Sequence, residues 1–177
     1  MQDPAPLVAQ PLTADAFAPF GQLIALPAGG GRPSDFGAQL RFDHTGTLDN
    51  RRGDRAKPNL AVVQVAMSAG PFKIDMMERH EFSSQAFIAL DVARFLTIVA
   101  PTLPDGAPDI ANLRAFVGGP GQGINYNAGT WHFPLIALER AGVFALLMWE
   151  DGTPGDCGIV AVANGPSVIV PLPAGAV

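Results

Sequence analysis

The sequence predicts an all-β fold, a sandwich or barrel carrying one or two short helices. Three observations point there. Short apolar runs recur along the chain, separated by Gly, Pro, Ser or Asp rather than by helical stretches. The chain of 177 residues holds 20 Gly and 17 Pro, a load that suits many strands joined by turns and suits a helical bundle badly. Apolar residues make up 48% and charged residues only 15%, enough to fill one sizeable core. No repeat and no break in composition divides the chain, so 1–177 reads as a single domain.

The elements follow in order. Thr13 is placed to cap one short helical turn that Pro19 and Gly21 stop. Residues 22–26 read as a strand, 28–33 as a Gly-rich loop and 38–44 as extended chain. The polar run 45–59 carries Arg51, Arg52, Arg55 and Lys57 against Asp49 and Asp54, and reads as a solvated loop or as an anion-attracting rim. Strands are then expected at 60–67, 73–80, 85–90 and 94–100. Asp109, after Pro108, is placed to cap a helix through about Phe116. Further strands are expected at 122–126, 130–133, 135–138, 143–149, 158–162 and 167–170, with 150–156 a loop.

Composition also excludes. A formal charge of −5 argues against a nucleic-acid binder, which needs a basic face. The single cysteine, Cys157, rules out an internal disulfide framework, reads as inert and fits a reducing cytoplasm. Met1-Gln2-Asp3-Pro4 shows no leader signature, and no apolar run is long enough to span a membrane.

Polar residues that carry chemistry concentrate in two segments. The first is Glu78-Arg79-His80 with Gln85 five residues on; the second is Asn127-Ala128-Gly129-Thr130-Trp131-His132. On a strand, residues i and i+2 share a face, so Glu78 projects with His80, and Thr130 with His132, while Arg79 points away. A closed sheet that sets these strands side by side gathers Glu78, His80, Gln85 and His132 around one cavity. Two imidazoles and two oxygens there suit a divalent ion, or else a hydrogen-bonding pocket for a small polar ligand. His44 reads as an exposed loop residue.

Both segments resemble a known family. The cupin metal motif, a His-x-His then a Glu and a later His, is present in degenerate form, with Glu78 for the first His and Gln85 for the Glu. More closely, Glu78-Arg79-His80-Glu81-Phe82-Ser83-Ser84-Gln85-Ala86-Phe87-Ile88 resembles the ERHP-x-(S/T)-QAF-I segment of the ureidoglycolate lyase family. The stretch 121–135, GQGINYNAGTWHFPL, resembles that family's GQGVNYHRGTWHHPL, and Leu113-Arg114-Ala115-Phe116 matches the LRAF before it. The opening from Leu12 to Gly21 matches as well.

The resemblance implies a cupin-like jelly-roll barrel, a cytoplasmic homodimer, and a carbon–nitrogen lyase of allantoin and purine breakdown that releases urea and glyoxylate from ureidoglycolate. On that expectation His80, His132 and Glu78 are catalytic, with His80 or Glu78 as base and His132 as acid or as the group that orients the substrate. Gln85, Tyr126 and Asn127 are substrate-binding. Glu78, His80, Gln85 and His132 are the possible holders of Zn, Mn, Ni or Fe. The partner is a small carboxylate or ureide, with neither nucleic acid nor membrane.

The departures matter too. Asn127 and Phe133 replace family histidines, the 62–67 strand lacks a family Arg, and Met148-Trp149-Glu150 stands for VDR. Guanidinium groups grip carboxylates in bidentate fashion, so their loss predicts weak turnover with a high KM unless Arg32, Arg41 or the 51–57 cluster compensates. Two other expectations stand beside it: a diverged cupin enzyme acting on another small carboxylate or ureide, and a member that has lost catalysis and binds a metabolite as a sensor or dimeric scaffold.

Overall fold

The computed structural model describes residues 4–35 and 37–172; residues 1–3, on which the leader reading rests, lie outside them, as do 173–177. Two antiparallel sheets carry the fold. A six-stranded sheet runs, in spatial order, Gly158–Ala161, Met76–Arg79, Trp131–Leu138, Arg94–Ala100, Arg114–Gly118 and Gln10–Pro11, the last pair being parallel. A five-stranded sheet runs Gly21–Ala25, Gln122–Tyr126, Gln85–Asp91, Gly142–Glu150 and Lys57–Val65. Apart from the consecutive pair Arg94–Ala100 and Arg114–Gly118, strands adjacent in space are distant in sequence, as in a cupin-like jelly roll. Phe95 from the first sheet meets Phe144 from the second edge-to-face at 5.5 Å, and Phe87 meets Phe144 at 6.1 Å, so the core lies between the sheets. A second cluster around Ile74, Met77, Leu96, Ile98 and Trp131 fills the other side of the six-stranded sheet.

The expected strands are present, with three corrections. The helix expected from Asp109 to Phe116 is a single 3-10 turn, Ile110–Asn112, followed by the strand Arg114–Gly118. Pairing of Phe116 with Thr97 buries Phe116 completely, and that burial outweighs the local cap signal. Asp109 instead accepts from the Asn112 amide at 2.7 Å. The expected 73–80 strand divides, because Phe72–Lys73 joins a separate three-stranded sheet while Met76–Arg79 stays in the six-stranded one. Conversely 130–133 and 135–138 are one strand, Trp131–Leu138. The register slips between Leu96 and Ile98, so Pro134, which has no N–H to give, sits at a bulge. The Thr13 cap forms as expected, its hydroxyl accepting from Ala16 N–H at 3.3 Å. No helix among the described residues is long and apolar enough to cross a membrane.

Candidate active site

The two polar segments meet because their strands pair. His132 stands directly opposite Glu78, and cross-strand partners share a face. Gly129 makes the turn before His132 with φ +86, a conformation costly for any residue with a Cβ, and its N–H donates to the His80 carbonyl at 2.8 Å. Gln85 opens its strand between Tyr126 on one neighbour and Met148 on the other. All four expected residues therefore converge. The His80 and His132 rings lie 5.5 Å apart, and ligand atoms of Glu78, His80 and His132 fall within 4.8 Å of one another. His80, Gln85 and His132 are buried, and the Glu78 side chain is 21% exposed.

The hydrogen bonds assign the ring protons. His80 Nδ1 is 2.7 Å from the Asp156 carbonyl and His132 Nδ1 is 2.9 Å from the Thr130 carbonyl. A carbonyl only accepts, so both Nδ1 atoms carry hydrogen. Both rings thus turn Nε2 toward the middle of the site. His80 Nε2 accepts from the Gln85 amide at 2.9 Å, an amide that also approaches Met148 Sδ at 3.6 Å. His132 Nε2 faces Glu78 Oε1 at 3.4 Å without an aligned hydrogen bond, so two acceptors confront each other. A proton or a cation between them relieves that conflict. Gln85 Oε1 and His132 Nε2 are both buried without a hydrogen-bond partner, and such groups mark places where a ligand completes the bonding.

Electrostatics follow the same geometry. Burial lowers the His80 pKa, against the raising effect of its bond to the Asp156 carbonyl. Burial pushes Glu78 upward, but the His132 contact and charge, with His80 and the Cys157 thiol, outweigh it and hold the carboxyl below its ordinary value. Glu78 is therefore a carboxylate near neutral pH. Cys157 Sγ lies 3.9 Å from Glu78 Oε2, and burial plus that charge raise its pKa, so the thiol stays protonated and unreactive.

The other expected residues sit around this group. Tyr126 is fully buried, its ring stacked on His132 at 4.2 Å and its hydroxyl bonded to Thr97 at 2.7 Å. Asn127 accepts from the Gln22 amide at 2.7 Å and lines a separate surface cavity of about 380 Å³ with Phe20, Thr102 and Thr130. A surface cavity of about 390 Å³ beside Pro4–Leu7 touches none of the four converging residues, so chemistry rather than volume marks the site. Arg32 and Arg41 pair with Asp43, Arg51 with Asp49, and Arg52 with Asp151 and Asp156; Arg55 and Lys57 are exposed. The polar run 45–59 is thus largely solvated, as the first of its two readings has it, with Arg52 turned inward and a strand beginning at Lys57. Glu150, where the resemblance leads one to expect Arg, accepts from Asn59 at 2.6 Å. His44 is exposed, as expected. Met148, Arg52 and the carbonyls of Thr130 and Asp156 were not legible as site components, since a backbone acceptor leaves no residue signature.

Comparison with known proteins identifies the family. Residues 4–169 match the family model described as ureidoglycolate lyase. A ureidoglycolate lyase from Pseudomonas syringae pv. tomato is 36% identical over 151 residues, covering 85% of this chain and 86% of that protein. One from Burkholderia cepacia is 40% identical over 137 residues, covering 77% and 75%. One from Brucella ovis is 39% identical over 150 residues, covering 80% and 81%.

Proposed function

Because the chain belongs to the ureidoglycolate lyase family, we propose that it cleaves ureidoglycolate to glyoxylate and urea at the Glu78, His80, Gln85 and His132 cluster. The observation that carries this is the pair of inward Nε2 atoms, each ring fixed by an Nδ1–H bond to a backbone carbonyl, with His80 Nε2 free to take a proton and a proton held between His132 Nε2 and Glu78. His80 Nε2 takes the substrate hydroxyl proton. The hydroxyl oxygen's electrons form the glyoxylate C=O as the carbon–nitrogen bond breaks, and the ureido nitrogen takes the proton shared by His132 and Glu78, leaving as urea. Burial suits His80 to the base role, because a lowered pKa keeps it neutral. Gln85 exchanges its contact with His80 for the ureido group, its free Oε1 accepting an N–H. Tyr126 acts from behind, fixing the His132 ring, and Asn127 acts through Gln22. A glyoxylate-release assay tests the reading: turnover lost in both His80→Ala and His132→Ala supports it, and turnover retained in either dismisses the site.

A metal-assisted form is favoured by the donors themselves, one carboxylate oxygen and two imidazole nitrogens within 4.8 Å. Glu78, His80 and His132, with Gln85 Oε1 as fourth donor, would hold Zn, Mn, Ni or Fe. Such an ion supplies Lewis-acid polarisation of the substrate oxygens when bound. Elemental analysis of protein purified without chelator should then show near-stoichiometric metal, and added ion should raise the Tm of stripped protein. If neither occurs, the hydrogen-bonding form stands alone.

The same reading places one 1–177 domain in the cytoplasm, where its cysteine stays free. It assembles as a homodimer through the outer face of the five-stranded sheet, where Leu60, Val62 and Ile88 stand 74%, 71% and 42% exposed. Sedimentation velocity of wild type and Val62→Lys checks the assembly.

A further inference from the structure

Arg52 belongs to the polar run 45–59, yet its side chain is only 7% exposed. Its guanidinium lies between Asp151 and Asp156, 2.7 Å from Asp156 Oδ1 and 3.3 Å from Thr153 Oγ1, and 4.6 Å above the Phe82 ring. The Asp156 carboxylate also accepts from the Asp151 N–H at 3.1 Å and the Gly152 N–H at 2.7 Å. The 151–156 loop is thus wound around one cation. A Cβ at Gly155 would come within 2.8 Å of Arg52 Nη2, so the loop leaves no slack there. The carbonyl of Asp156 is the acceptor for His80 Nδ1–H, and Cys157, the next residue, sets its thiol beside Glu78. From the other side, Arg51 N–H bonds the Phe82 carbonyl at 2.8 Å, two residues from His80.

We infer that Arg52 is a positioning residue: by tying the 151–156 loop it holds the Asp156 carbonyl against His80 and so selects the ring tautomer that leaves Nε2 free. A buried ion pair is a weak device for stability alone, since desolvating the charges offsets much of their attraction. It is a good device for placing one carbonyl. Partners behind a working histidine fix its tautomer, and their loss commonly lowers activity about 10–100-fold. Only this last consequence rests on the lyase reading.

Nitrogen-15 NMR of the His80 ring tests the placement without using turnover. Wild type should show the Nδ1–H form, and Arg52→Ala should shift His80 toward a mixture containing Nε2–H. In the glyoxylate assay, Arg52→Ala should lose about 10–100-fold in kcat with KM changed by less than about twofold, the pattern of a group that acts on the reacting centre rather than on uniform binding. Added guanidinium ion should restore part of that loss. Arg52→Lys should restore less than half, because an ammonium lacks the planar fork. Arg51→Ala, which removes an exposed pair with Asp49 and a long 3.4 Å bond to the Glu81 carbonyl but leaves the 151–156 loop tied, should leave tautomer and kcat unchanged. If Arg52→Ala does not fold, Asp156→Asn weakens the pair and keeps the carbonyl, and is measured the same way. A folded variant whose His80 stays wholly Nδ1–H overturns the proposal. A shifted tautomer with undiminished turnover upholds the positioning and instead removes His80 as the base.

Discussion

His80 and His132 give the same ring hydrogen to the same kind of acceptor, a backbone carbonyl, but the walls behind them differ. Behind His80 lies the polar 151–156 loop, held by Arg52 and two aspartates and partly open to water. Behind His132 lies the fully buried Tyr126 ring, which continues into Phe17, Phe87 and the aromatic core. One wall is made of charges and hydrogen bonds, so pH or a single substitution can adjust it. The other is close-packed and resists change until the core itself is disturbed. On the proposed reading, the site thus joins an adjustable base to a rigidly placed acid.

The sharpest break of this comparison is chemical. Both His80→Ala and His132→Ala should lower kcat/KM by about 10²–10⁴-fold, the usual range for a lost acid or base, read as glyoxylate release. Unequal losses would show which wall matters more. Stability should separate the walls next. Tyr126→Ala should cost about 3–5 kcal/mol as a buried aromatic is removed, whereas Tyr126→Phe, which loses only the Thr97 hydrogen bond, should cost about 1 kcal/mol. Urea unfolding curves measure both.

The smallest effect is the pH dependence of metal-free protein. His80 titrates below the ordinary histidine value of about 6.5 when folded, so the unfolded chain takes its proton first. Its contribution is complete above that ordinary value and is lost as pH falls through the folded value. His80→Gln should flatten this part of the curve. Glu78, depressed below the ordinary glutamate value, contributes above that value and loses its contribution as pH falls further. Urea midpoints measured from neutral to acid pH should therefore fall in two stages, with only the first absent in His80→Gln.

Much of this was written in local sequence. Alternation along 76–80 and the turn at Gly129 already set Glu78, His80 and His132 on one inward face, and strand-length apolar runs named most of the two sheets. The same local logic misread 109–116, where a capping aspartate signalled a helix but pairing with Arg94–Ala100 buried Phe116 and won. The resemblance marked Tyr126 as substrate-binding, whereas its full burial, the stack on His132 and the Thr97 bond set it in the core behind the site.

What the sequence determined by itself was the class of fold and the identity of the four converging side chains, because strand alternation and turn chemistry act over a few residues. Only the tertiary structure decided how those side chains are tuned. The carbonyl that orients His80 comes from a residue 76 positions away, and the aspartate that anchors its loop meets Arg52 across 104 positions. Contacts that distant are created only when the sheets close on each other. A backbone carbonyl looks the same in every residue until the fold aims it.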